Sequence, residues 1–324
     1  MDIIMERGKV VPLKSLPPYS IAVDGACQGP EIDSENNRYS FDHHAGCLRF
    51  CTSAACIQTL DAILLGLDPT KYTIFINDVD MDTVMSIWCL KNSERCVEPK
   101  VRQLVDAIGK QDMHAGAYPL NGLSKVVEWV SAPQTDSVRN GDYYKLSDNG
   151  LLTIMESMIH RIDKYINGEA MNDIAAIEPH GEFEIKKNDN GWILVESHDP
   201  HAYSALYQAN FTRIVLVIRL EDGSLAVSIA KKSDFIENFP NEKIYANLNK
   251  LEPGWGGSSS IGGAPRNSDG SRSRLPLDTI VEVVNRSING ESIADLISSK
   301  KIAKKKAVKK KTTRRSGKTI PPKD

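Results

Sequence analysis

The chain has 324 residues, of which 41% are apolar and 25% charged, with six cysteines and a formal net charge of −2. That length suits two domains with real cores. No 18 apolar residues run together, so no membrane span is expected, and the N-terminus lacks the basic and apolar regions of a secretory leader, so the expected location is cytoplasmic.

In chain order, residues 1–19 read as a poorly defined lead-in closed by Pro17-Pro18. Ser20–Val23 is a short apolar strand that ends at Asp24-Gly25. A polar loop from Gly29 to Arg38 leads into the strand Tyr39-Ser40-Phe41, which runs straight into Asp42-His43-His44. Apolar residues at helical spacing predict a helix over 52–65, with Thr52 or Ser53 as N-cap. Tyr72–Ile76 is a second buried strand, followed by Asn77-Asp78-Val79-Asp80-Met81-Asp82. Helices are expected near 83–91, 99–109 and 120–130, then a polar loop over 132–150. An amphipathic helix at 151–166 reads as the connector between domains, carried on as linker to 182. Strands at 183–186, 192–196, 214–220 and 225–230 follow, with Asp189-Asn190-Gly191 and Asp222-Gly223 as hairpin turns. Helices near 202–209, 245–250 and 277–287 and a Gly/Ser-rich loop at 254–263 complete a second domain over 183–298. Strands alternating with helices imply an α/β fold: a mostly parallel sheet flanked by helices over 20–150, then a smaller α/β domain with a mixed sheet.

The net charge hides an asymmetry. From residue 299 onward there are 12 Lys and Arg against one acid, which leaves 28 against 41 in the rest. Almost nothing in this tail can be buried, so it is expected to be disordered. Lys304, Lys305, Lys306, Lys309, Lys310, Lys311, Arg314 and Arg315 are suited to track a polyanion such as DNA or RNA, or the tail is only a solvated, solubilising extension. No aromatic residue interleaves its lysines, so base stacking is not its contribution.

The chemistry-bearing residues sit at strand ends. In open α/β sheets ligands bind beyond the carboxyl ends of the strands, so acids and imidazoles placed there share one crevice. They repel or desolvate one another unless a cation lies between them. Asp78, Asp80 and Asp82 alternate, and if extended they point to one side. An EF-hand is excluded, because Thr83 stands where that loop wants glycine and Cys89 where it wants glutamate. The blander explanation is an acidic turn at a helix N-terminus. Asp112, in Gly109-Lys110-Gln111-Asp112-Met113-His114, is a third candidate, placed where the chain could return to the sheet edge. Cys47, Cys51 and Cys56 have no zinc-finger spacing and read as reduced thiols. His114 is a neighbour of Asp112, His198 and His201 flank a turn, and His160 and His180 read as surface or packing residues.

Asp42-His43-His44 followed by Thr52-Ser53-Ala54 resembles the DHH phosphoesterase superfamily, whose members include nucleases, cyclic-dinucleotide phosphodiesterases and manganese pyrophosphatases. Asp78-Val79-Asp80-Met81-Asp82 is similar to that family's acidic metal-binding motif, here in permuted order, after the Asp-His-His strand instead of before it. Gly256 to Arg266 sits where the family's C-terminal DHHA1 domain carries its glycine-rich substrate loop, with Arg266 in place of the usual histidine.

The resemblance implies metal-assisted hydrolysis of a phosphoester in a short oligonucleotide, nucleotide or similar small molecule, with two Mn²⁺ or Mg²⁺ ions. It implies Asp42, His43, Asp78, Asp80 and Asp112 as ligands, with Asp24 and Asp82 beside them. His43, His44 and Asp80 are then the catalytic group, His44 either ligating or holding a phosphate oxygen. Gly256, Gly257, Gly262 and Gly263 would admit the substrate, and Arg266 would grip it. Two alternatives stay open: a degenerate relative that only binds nucleic acid, and a HAD-type phosphatase using Asp80 and Asp82.

Overall fold

The computed structural model describes residues 1–298 except 49, 115, 178–181, 200–201, 266 and 268–270. The basic tail and Arg266 therefore lie outside the described residues. The chain divides into two compact units, residues 1–182 with 199–208, and residues 183–198 with the chain from 209 on.

The first unit is built on a five-stranded sheet in the order β1-β5-β2-β4-β3. Its strands are β1 (Ile3–Met5), β2 (Ser20–Val23), β3 (Glu31–Asp33), β4 (Arg38–Phe41) and β5 (Thr73–Ile76). β1, β5, β2 and β4 are mutually parallel, and β3 pairs antiparallel with β4 at one edge. The expected lead-in thus supplies an edge strand, and the expected 29–38 loop holds another. Each is three residues long, too short for periodicity to reveal. β2 is buried along its whole length, as a central parallel strand covered on both faces must be. Alternation sends Ile21 and Val23 into the main core, and Ala22 to the other face beneath Leu13, Leu16 and Cys27.

The main core is closed by α1 (Ala55–Leu64), α2 (Met81–Lys91), α3 (Pro99–His114), α4 (Ser124–Arg139) and α5 (Asp148–Ile166), which contribute Leu60, Trp88, Leu104, Val130 and Ile162 among others. α4 runs on through Pro133 to Arg139, where a loop was expected. α5 buries Leu151, Met155, Met158 and Ile162 in this same core, so residues 151–166 belong to the first unit and are no free connector. Two short helices, α6 (Met171–Ala175) and α7 (Ala202–Gln208), complete the unit.

The second unit has a six-stranded mixed sheet in the order β10-β11-β9-β8-β7-β6. The strands are β6 (Glu184–Asp189), β7 (Trp192–Glu196), β8 (Arg213–Arg219), β9 (Leu225–Lys231), β10 (Gly256–Gly257) and β11 (Ile261–Gly263). Only β7 and β8 pair in parallel. Asn190 and Gly191 both have positive φ, as a two-residue hairpin turn between β6 and β7 requires. α8 (Asn241–Leu251) and α9 (Leu277–Asn289) pack on the face that carries Trp192, Leu194, Val215, Val227 and Ile229. The expected glycine-rich loop is a β-hairpin joined to β9. Among the described residues, no helix is long and apolar enough to cross a membrane.

Candidate metal centre

β5, β2 and β4 are adjacent, parallel and in register, so their carboxyl ends open at one edge. Asp24 follows β2, Asp42 follows β4, and Asn77-Asp78 follows β5. Asp24 adopts positive φ, which turns the chain off the sheet. Asp112 comes from the last turn of α3, not from a sheet edge as its flanking sequence suggested.

Asp78, Asp80 and Asp82 do not share one extended face. Asp80 is the N-cap of α2, accepting the Thr83 N–H at 2.9 Å. Asp82, in the first turn, spends both oxygens on another helix: Oδ2 accepts the Ala55 N–H and Oδ1 the Cys56 N–H, each at 2.7 Å. This explains why α1 starts at Ala55 behind Ala54 and takes no cap from Thr52 or Ser53. Asp78 is exposed, with Oδ1 accepting the Tyr143 hydroxyl and the Val79 N–H.

His43 is fully buried at the centre. Its Nε2 lies 2.8 Å from Asp112 Oδ2 and 3.6 Å from both Asp24 Oδ1 and Asp82 Oδ2. The Asp112 approach is outside hydrogen-bond geometry, for among the described residues neither ring nitrogen of His43 has a hydrogen-bond partner. His44, about half exposed, places Nδ1 at 2.7 Å from Asp42 Oδ1 and 3.4 Å from Asp24 Oδ1. Asp42 Oδ1 also accepts the backbone N–H groups of His43 and His44. Ligand-capable atoms of Asp24, His43 and His44 lie within 4.8 Å of one another, as do those of His43, Asp82 and Asp112.

The electrostatics are those of crowded carboxylates. Burial, then the charges of Asp80, Asp82 and Asp112, push the Asp24 carboxyl well above its usual range. Burial and Asp112 raise Asp80 as well, and burial, Asp112 and Asp80 push Asp82 up to about 6. Asp42 is the exception: burial acts to raise it, but the bonds from His44 and the two N–H groups outweigh burial and leave it below the ordinary value.

Among the described residues, the buried atoms Asp24 Oδ1, Asp42 Oδ2 and both His43 ring nitrogens have no hydrogen-bond partner. Such atoms cost free energy unless something else satisfies them. Oxygen and imidazole donors without thiolate suit Mn²⁺ or Mg²⁺ better than a soft metal, and the residues present fit such an ion. Among the described residues, no cysteine joins a metal-capable cluster. The buried Cys56 thiol donates to the Val105 carbonyl, and burial and the neighbouring Asp82 carboxylate hold it well above the ordinary thiol range.

A cleft of about 350 Å³ lined by Asp24, Asp42, His44, Asp78, Asp80 and Gln28 opens onto this cluster. A larger groove of about 730 Å³ beneath Tyr39, Phe41 and Tyr72 contains none of the cluster's residues. No family model matches the chain, and no curated protein does.

Three supporting residues had no signal in the sequence. Thr83 Oγ1 donates to Asp24 Oδ2 at 3.2 Å, Gln58 Nε2 donates to the Asp42 carbonyl at 2.8 Å, and Tyr143 holds Asp78. Tyr143 lay in a stretch read as loop. His114 stacks on Tyr118, and His160 and His198 are exposed. His180 and His201 lie outside the described residues.

In the second unit the glycines have a structural reason of their own. A Cβ on Gly262 would stand 2.4 Å from the Gly256 carbonyl oxygen and 2.7 Å from the Tyr245 ring, and one on Gly263 would stand 2.2 Å from the Val227 carbonyl oxygen. Gly257 has φ +148 and faces Gly262 Cα in the same way, whereas Gly256 has open space.

Proposed function

We propose that the chain is a divalent-metal-dependent phosphoesterase of DHH type, hydrolysing short oligonucleotides, nucleotides or related small phosphoesters. The observation that carries this is the gathering of Asp24, His43, His44, Asp82 and Asp112 beside buried atoms of Asp24, Asp42 and His43 that have no hydrogen-bond partner among the described residues. Asp24, Asp42, His43, Asp80 and Asp112 would hold the ions, one or two of Mn²⁺ or Mg²⁺. Bound there, the metal supplies Lewis acidity, acidifying water and offsetting phosphate charge.

The protein's own groups do the rest. Asp42 fixes the His44 ring through Nδ1 at the cleft wall, and His44 is assigned to hold a phosphate oxygen there. Asp82 anchors the start of α1 beside His43, and Tyr143 fixes the rim carboxylate Asp78. Gly256, with Arg266, is assigned to substrate contact in the second unit, and the basic tail to non-specific contact with a polyanion. A HAD-type reaction is disfavoured, because it needs Asp82 free as a proton shuttle beside Asp80, and both Asp82 oxygens already accept backbone N–H groups.

The test is Mn²⁺-dependent hydrolysis of 5′-labelled oligonucleotides, cyclic dinucleotides and bis(p-nitrophenyl) phosphate, with metal analysis of the same samples. Wild type should retain Mn²⁺ and turn over at least one substrate. Asp80→Asn and His43→Ala should fold, lose metal and lose about 100-fold or more in rate. A wild type that neither retains Mn²⁺ nor turns over sinks the proposal and leaves a nucleic-acid-binding module.

A further inference from the structure

We propose that the groove of about 730 Å³ between α1 and the outer strands of the first sheet binds a small organic cation with an apolar body, such as an arylalkylammonium. The site is separate from the acidic cluster and does not depend on the phosphoesterase reading.

Two stripes of α1 have different fates. Ala55, Cys56, Thr59 and Leu60 are buried in the core. Gln58, Asp61, Ala62 and the C-cap Leu65, spaced to share one helix face, instead form a wall of the groove. Opposite them β4 supplies Tyr39 and Phe41, and the edge strand β3 supplies Ile32, which pairs with Tyr39 in the ladder. Ile32 is 72% and Leu65 88% exposed although both line the cavity. Apolar surface is thus left to water beside a cavity of the size that small-molecule sites have.

The rings make an aromatic corner. Tyr39 and Phe41 are stacked with centroids 6.3 Å apart, and the Tyr39 and Tyr72 rings meet at 52° with centroids 5.7 Å apart. Aromatic faces attract cations.

Charge decides the class of ligand. The lining carries three acids, Glu31, Asp61 and Asp68, against one base, Lys71, whose ammonium already lies 3.1 Å from Asp68. Among the described residues Glu31 and Asp61 meet no cation. The neutral donors are committed: Ser40 Oγ donates to the Gly29 carbonyl at 2.7 Å, and Gln58 Nε2 to the Asp42 and Ser53 carbonyls at 2.8 and 2.6 Å. What remains for a ligand is carboxylate and aromatic face. An anion would be repelled there and a neutral molecule would leave the acids unused, whereas an organic cation engages both.

The experiment titrates benzyltrimethylammonium, benzyl alcohol and benzoate into the full chain, with and without Mn²⁺, and follows binding by saturation-transfer NMR. The ammonium should bind about tenfold or more tightly than the alcohol, the size of a partly desolvated cation–π contact, and benzoate most weakly. Asp61→Asn should weaken the ammonium about threefold, the scale of one exposed ion pair, and Lys71→Gln, which frees Asp68, should tighten it. Both positions are exposed, so neither change should move the thermal midpoint. Tyr39→Leu should lower the preference for the ammonium over the alcohol. Equal affinity for ammonium and alcohol overturns the assignment, as does ammonium binding that neither charge variant moves. Displacement of the ammonium by Mn²⁺ would place it in the acidic cluster and also overturns it. A dimer in sedimentation that Leu65→Asp disperses would give the groove to a second copy of the chain instead.

Discussion

Asp82 is held by two demands that oppose one another. As acceptor of the Ala55 and Cys56 N–H groups it works best ionised, yet burial beside Asp112 and Asp80 pushes its carboxyl up to about 6. Asp82→Ala removes both acceptors from the start of α1. In the metal-loaded protein, unfolding by urea should show a loss of about 2 kcal/mol, the upper end for a lost helix cap. Asp24, Asp80 and Asp82 are all raised, Asp82 to about 6, so in metal-free protein folding takes up protons above the ordinary carboxylate range. Stability from these groups is then greatest at low pH and is lost as the pH rises through the folded values. The melting temperature in chelator should fall from pH 5 to pH 7.5, and added Mn²⁺ should flatten that slope; a midpoint that climbs with pH in chelator would contradict it. The sequence marked Asp24, Asp42, His43, Asp80 and Asp112 as candidates because strand ends and acids are visible in it. It could not assign Asp82 to a helix some 27 residues away, since that bond is long-range.

At the scale of elements, the glycine hairpin separates two kinds of glycine. Gly262→Ala forces a Cβ against a carbonyl oxygen and the Tyr245 ring, and overpacking of that kind costs about 1–3 kcal/mol. Gly256→Ala meets nothing within 4 Å and should leave the second unit's stability nearly unchanged, while weakening substrate binding if that position admits the substrate. Trp255 is buried beside the hairpin, so its fluorescence during urea unfolding reports on both variants. In the sequence this segment looked like a loop, because two-residue and three-residue strands rich in glycine carry no alternating pattern. The longer strands β7, β8 and β9 were legible from their branched apolar runs, and α5, α8 and α9 from their apolar stripes. α4 was read short because Pro133 and the polar residues after it look like an ending, whereas the helix continues to Arg139.

Across the whole molecule, the α/β class and the two sheets follow from the alternation of strand and helix patterns. The order of strands within each sheet does not follow from it. β2 lies between β5 and β4 although the chain visits β5 last, and only that arrangement puts three acid-bearing strand ends side by side. Neighbours in the crevice are thus set by sheet position, and the connections between strands are free to be rewired so long as each strand keeps its slot. A gene that shuffled these segments would rebuild the same cluster from motifs read in a different order. A pattern that demands acids first and Asp-His-His afterwards would pass over such a chain, while one that scores which strand ends are adjacent would not.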